Sequence, residues 1–321
     1  LKLAFSGIHI MSDMVFAVIV PIFLLLTLGY LSVKLQLLSK DNVATVGAFV
    51  IKIALPALFL QSLASKDLHE IWYPGYFFVY SGVTLVLYVA AFFVVSQAFK
   101  NNQSESAVLS LGASMSNTGL IGTAVLTLLM GQKAMTYTSL VVIIESLLLI
   151  PTVLVLAELS RQKQANLWAI LKRTVLTLLR NPLFMGVIIG IGCAILQIRI
   201  PRYLDDVLAL LGQTASPLAL FSIGGGIVGL TLKYVNLQSI YLVMSSNLIM
   251  PLLVFLGLSY LTDAPQEMIY AGTIIASLPM PTIFGMLGQA YGLKDQALTP
   301  LLMSTIFGFM VSALLISVWW G

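Results

Sequence analysis

The sequence predicts an all-α polytopic membrane protein whose ten transmembrane helices form a 5+5 inverted repeat. Three observations predict it. Only 9% of the 321 residues are charged and 59% are hydrophobic, whereas a soluble domain carries about 25% charged residues. Apolar segments of membrane-spanning length recur along the whole chain. Two of those segments are interrupted at matching places: ASMSNTGLIG at 113–122 and ASLPMPTIFG at 276–285 lie a constant 163 positions apart.

The segments fall at roughly 14–33, 43–64, 73–98, 106–130, 134–157, 181–198, 207–230, 236–261, 266–291 and 296–319, and are taken here as helices 1 to 10. Helix 2 carries Pro56 in ALPALFL, and helix 7 carries Pro217 in the similar ASPLALF. Helices 4 and 9 hold the two breaks, and the likeness runs on from QKAMT at 132–136 to DQALT at 295–299. GGG at 224–226 permits close helix approach. Trp72, Trp319 and Trp320 sit at helix ends and fit an interfacial aromatic belt. Ahead of helix 1, no small-residue cleavage site follows a short apolar stretch, so no signal peptide is expected. Residues 1–10 read as an upstream extension and Met11 as a natural start.

Connections are short except at 158–180, a basic and then amphipathic stretch that reads as a cytoplasmic link. It divides the chain into a first five-helix repeat over 1–157 and a second over 181–321. The loops on the link's side hold Lys34, Lys40, Lys100, Arg161, Lys163, Lys172, Arg173, Arg180, Lys233 and Lys294, against Lys2, Lys66, Lys133, Arg199 and Arg202 on the other. Positive-inside reasoning places both termini outside. Five helices per half, an odd number, makes the second half enter from the opposite face. Paired interruptions in such a repeat point to a binding site between the halves.

The breaks carry the candidate binding residues. Pro279 and Pro281 lack the N–H a helix needs, and Met280, ahead of a proline, is biased toward extended backbone. Ser116, Asn117 and Thr118 compete for their own backbone, and Gly119 is permissive. In hydrocarbon the freed backbone groups must face protein or a water-filled cavity. The following half-helices start near Thr118 and Thr282, and their N–H groups and dipoles suit an anion. Unwound carbonyls at the same places suit Na⁺ instead.

Two charges lie inside helices. Lys52 in FVIKIALP is read as attracting an anionic substrate, pairing with Glu145, or snorkelling to an interface. Glu145 in VVIIESLLLIP is the deepest carboxylate and the candidate proton carrier, with a structural pairing as its alternative. The lone Cys193 spells no disulfide or metal site, and His9 and His69 make no metal pair. A net charge of +4 without basic runs interleaved with aromatics gives no sign of nucleic-acid binding.

These residues resemble the auxin efflux carrier family in its short bacterial form. The resemblance runs from about Met11 to Gly321 and rests on VPIFLLLTLGYLSVKLQLLS at 20–39, ALPALFL, SNTGLIG in helix 4 and LPMPTIFGMLGQAYG in helix 9. It implies a fold similar to the bile acid–sodium symporters, with crossed broken helices 4 and 9. Helices 1, 2, 6 and 7 would form a scaffold, and helices 3–5 and 8–10 a moving transport domain. It also implies a homodimer through scaffold helices and a place in the bacterial inner (plasma) membrane. Carried over by position, Asn117, Gly119, Pro279 and Pro281 fall at the crossing. Glu145 matches no family signature. The long hydrophilic central loop of the plant carriers is lacking, so auxin itself is not the expected substrate.

The expected function is a secondary carrier of a small carboxylate such as malonate or malate, working by elevator-like alternating access. No cofactor and no metal site are expected, and the coupling ion, H⁺ or Na⁺, stays open. The alternatives are a membrane sensor that keeps the carrier fold without transport and a cation–proton antiporter, which wants paired acids at the crossing. An intramembrane enzyme is disfavoured, because no paired aspartates, His-rich metal site or Ser/Lys dyad occurs at helical spacing.

Overall fold

The computed structural model describes residues 20–21, 23–64, 72–161, 168, 172, 175–176, 179–180, 182–229 and 235–319. Met11 and most of the 158–180 link lie outside the described residues. The described chain is helical, with no strand among its residues. In order run α1 (Phe23–Lys34) and α2 (Lys40–Ala64), α3 (Pro74–Gln97) and α4 (Gln103–Ser114), and α5 (118–130) and α6 (134–161). Then come α7 (Pro182–Ile195), α8 (Arg202–Gly226) and α9 (Leu237–Leu261). The last are α10 (Gln266–Ser277), α11 (Thr282–Ala290) and α12 (Lys294–Trp319). Among the described residues, seven helical spans are long and apolar enough to cross a membrane, with Gln266–Ala290 taken across its break and α1 shorter than these. The chain is therefore a multi-pass membrane protein.

Several helices begin earlier than their apolar runs because polar residues build the first turn. Ser39 caps α2 by accepting from the Asn42 N–H, and the Asn42 side chain answers the Ser39 N–H. Asn102 and Glu105 make the same reciprocal box at α4. Each box satisfies two donors that a helix start leaves orphaned.

Three helices widen for one turn just ahead of a proline. Wide π turns at Val50–Ala54, Glu145–Leu149 and Ser245–Ile249 precede Pro56, Pro151 and Pro251. A proline offers no N–H, and its ring collides with the carbonyl four residues back. The extra residue in the turn relieves that collision and keeps the helix running.

The helices pack in two groups. The second half of α2 packs on α7 and α8. In the same group α1 crosses α8 backbone to backbone: a Cβ on Gly29 would overlap the Phe221 carbonyl, and one on Gly224 the Leu26 carbonyl. In the other group α3 packs against α4 and α9, α4 against α6, α9 against α10, and α11 against α12. Two large buried clusters lie mainly in this second group, the first reaching Leu26 of α1 and Leu220 of α8. One includes Tyr76, Leu126, Val254 and Leu278; the other includes Leu109, Met115, Met280 and Phe284. The interruptions at 115–117 and 278–281 lie where these clusters meet.

Candidate functional site

The first interruption opens when the backbone becomes extended at Met115 (φ −133°, ψ 138°) and stays non-helical at Asn117 (φ −82°, ψ 61°). The chain resumes as a π turn, with the N–H groups of Ile121 and Gly122 both donating to the Asn117 carbonyl. The second opens at Leu278 (ψ 160°) and closes at Pro281 (ψ 148°), where two prolines prevent the ladder from continuing. The two meet directly: the Asn117 N–H donates to the Pro279 carbonyl at 2.8 Å.

Each interruption has its own support. Asn247 of α9 donates through Nδ2 to the carbonyls of Ser277 (3.1 Å) and Leu278 (3.0 Å). Ser304 of α12 donates its hydroxyl to Asn247 Oδ1 at 2.8 Å and accepts from the Met280 N–H at 2.9 Å. Both side chains are fully buried. Gly308 lets α12 pass here, since a Cβ would come within 2.6 Å of Asn247 Nδ2 and 2.8 Å of the Pro279 nitrogen. At the first interruption Thr118 donates to Glu145 Oε1 at 2.7 Å, and the Ser116 and Thr118 hydroxyls lie 3.1 Å apart. Glu145 is 3% exposed.

A cleft enclosing about 450 Å³ of empty space, its open mouth included, lies against the crossing. Ser116, Asn117, Thr118, Gly119, Pro281, Thr282 and Glu145 line it, so seven expected site residues share one cavity. Leu55 and Phe59 of α2 form a facing apolar wall, and the Phe59 ring rests on Gly119, where a Cβ would meet it at 2.5 Å. The Asn117 side-chain amide has no hydrogen-bond partner among the described residues. Thr282 and Ile283 begin α11, which has no side-chain cap, so its first N–H groups lack helical acceptors and adjoin the cavity.

Three expected residues stand apart from the cavity lining. Pro279 contributes its carbonyl to Asn117, and Met280 is buried with its N–H on Ser304. Lys52 is the third. Its side chain is exposed, it does not line the cavity, and it makes no ion pair with Glu145. On a regular helix Lys52 would share a face with Leu55 and Phe59, three and seven residues on. The π turn at Val50–Ala54 inserts one residue and rotates Lys52 off that face. Sequence reasoning missed Phe59 as a wall and Asn247 and Ser304 as supports. The signal for Asn247 was the polar run Ser245, Ser246, Asn247 inside an apolar span and just ahead of Pro251.

Chemically the cavity offers neutral donors, an apolar wall and one carboxyl group. No lysine or arginine lines it, and no cluster of metal-ligating side chains occurs among the described residues. Such a site can hold a small polar molecule by amide and N–H donors, and can bind or release one proton beside it.

Residues 14–319 match a family model described as membrane transport protein. The chain is 25% identical over 292 residues to a "Putative malonate transporter" of Rhizobium meliloti, covering 90% of each. It is 24% identical over 306 residues to the "Uncharacterized transporter YfdV" of Escherichia coli, covering 92% of this chain and 94% of that one. It is also 24% identical over 211 residues to the "Lysosomal cholesterol signaling protein" of Mus musculus, covering 63% of this chain but 24% of that much longer one. With the family model matched from residue 14 to residue 319, the chain belongs to the membrane transport protein family, as its resemblance to the auxin efflux carriers implied.

Proposed function

We propose that the protein is a secondary active transporter of small organic anions, malonate- or malate-like carboxylates, working by elevator-type alternating access. The observation that carries this reading is the crossing itself. Two interrupted helices joined at Asn117 and Pro279 present an unpartnered amide and a helix N-terminus to one cavity. A carboxylate accepts from both. A relative named as a malonate transporter supports the substrate class.

In this reading the chain crosses the plasma membrane ten times as two inverted repeats, with α4–α5 and α10–α11 each counted as one interrupted crossing. The packing in two groups supports a scaffold of α1, α2, α7 and α8 and a moving body of the rest. The apolar wall of Leu55 and Phe59 belongs to the scaffold and the polar floor to the body, so sliding one past the other would change which side the cavity faces. Glu145 sets the coupling. An ionised carboxylate in the same small cavity would repel an anionic substrate strongly. The substrate therefore binds with Glu145 protonated, and anion and proton move together.

A second reading, exchange of a small cation for protons, is favoured by one observation: Glu145 lines the cavity and no basic side chain does.

Counterflow in proteoliposomes tests the proposal. Vesicles are loaded with unlabelled mono- and dicarboxylates, and labelled malonate uptake is followed with and without a pH or Na⁺ gradient. Uptake that requires internal carboxylate and rises with an inward proton gradient supports it. Cation exchange with no carboxylate flux supports the second reading, and ligand binding without any flux would make the protein a sensor.

A further inference from the structure

A second, larger cavity, enclosing about 1000 Å³ of empty space with its open mouth included, lies away from the crossing, between α2 and α8 on one side and α11 and α12 on the other. Its mouth is set by helix ends. Lys40 is the first residue of α2 and Lys294 the first of α12; Gly226 ends α8, and Gln289 lies one residue before the end of α11. Four helix ends at one cavity place its mouth at one membrane face, which carries the larger share of the basic loop residues. The Lys40 ammonium lies over the loop backbone at Gly229, where φ is +79° and a Cβ would approach Lys40 Nζ to 2.8 Å.

Both lysines line the cavity and are exposed, and the ion pair found among the described residues, Lys133–Glu267, involves neither. The neighbouring Asp41 and Asp295 do not line it. Deeper in, the lining turns apolar through Leu298, Leu301 and Leu302 of α12 and Ile223 of α8. Thr305, the deepest lining residue on α12, lies eleven residues beyond Lys294, about 16 Å at 1.5 Å per residue. The cavity thus grades from two cations at headgroup depth to leucines at acyl-chain depth.

We propose that this cavity binds an anionic membrane phospholipid, its phosphate between Lys40 and Lys294 and the upper part of an acyl chain along Leu298, Leu301 and Leu302. Basic pockets between transmembrane helices recognise such headgroups by charge, while the chain supplies apolar contact. A free organic anion would gain nothing from the leucine floor. The site does not depend on what the crossing binds.

Native mass spectrometry of the purified protein, with phosphatidylglycerol and phosphatidylcholine of identical chains as probes, tests this. The wild type should retain one phosphatidylglycerol in preference to phosphatidylcholine. Lys40→Gln/Lys294→Gln should weaken that preference at least about tenfold, whereas the charge-matched control Lys34→Gln/Lys100→Gln should not. Soluble glycerol 3-phosphate, the headgroup chemistry without chains, should fail to displace the lipid at equal concentration. If the double variant does not stay monodisperse, each single lysine variant carries the test with a partial loss expected. Equal phosphatidylglycerol retention by the wild type and the lysine variants overturns the proposal. So does displacement by glycerol 3-phosphate, which would make the cavity a site for free anions.

Discussion

The backbone N–H of Asn117 donates to the carbonyl of Pro279 at 2.8 Å, and this one bond ties two interrupted helices together. Each interruption frees polar backbone groups that hydrocarbon would penalise by several kcal/mol. Here a donor freed in one helix is satisfied by an acceptor freed in the other. The remaining orphans are met by side chains on one flank and adjoin the cavity on the other.

The flank predicts a stability result. Asn247→Ala removes the donor to two carbonyls and the acceptor of Ser304, so it should destabilise the protein by at least about 2 kcal/mol. Ser304→Ala leaves the Met280 N–H and one lone pair of Asn247 Oδ1 unpaired, two groups against three, and should cost less. Thermal unfolding in detergent checks the order; two unchanged transitions would show that the interruption does not need this support.

Gly119 and Phe59 form a coupled pair across the cavity wall. Gly119→Ala places a methyl group within 2.5 Å of the Phe59 ring and should lower transport. Phe59→Leu in the same chain should restore part of it. A double-mutant cycle on uptake rates measures this coupling, expected at about 0.5–3 kcal/mol. Simple additivity would separate the two residues.

Glu145→Gln removes a titrating group and keeps its shape. If protonated Glu145 accompanies the anion, wild-type uptake should rise as pH falls, because the binding-competent form becomes more populated. The variant should bind substrate at every pH and show a flat profile. Its accumulation against a gradient driven by protons should be lost, as measured in vesicles with an imposed pH difference. A variant that keeps the wild-type pH profile would leave Glu145 a structural partner of Thr118.

Gly308→Val tests how closely α12 must pass the second interruption. Even a single Cβ would crowd Asn247 and Pro279, and overpacking costs typically about 1–3 kcal/mol. Reduced yield of monodisperse protein and a lowered thermal transition are expected. Wild-type behaviour would show that α12 can shift without disturbing the crossing.

Much of this site was legible in the chain. Ser116–Asn117–Thr118–Gly119 and Pro279–Met280–Pro281 announce interruptions by their own backbone chemistry, and the constant spacing paired them. Helix starts were less legible because the apolar-run criterion ignores polar first turns: Ser39 and Asn102 set those starts. Lys52 stayed open among three readings, because the π turn before Pro56 that helps set its direction is not encoded in periodicity. Ser304 gave no signal, since a hydroxyl in an apolar run looks the same whether it bonds its own helix or a distant N–H.

The most direct test is equilibrium binding of labelled malonate to purified wild type and Asn117→Ala, with matched thermal transitions establishing that both are folded. The Asn117 amide faces the cavity without a protein partner, and losing one good hydrogen bond to a charged ligand costs about 1.5–3 kcal/mol. The account predicts saturable wild-type binding, weakened roughly tenfold to a hundredfold in the variant. Saturable malonate binding that is equally tight in Asn117→Ala would contradict it and place the substrate elsewhere in the molecule.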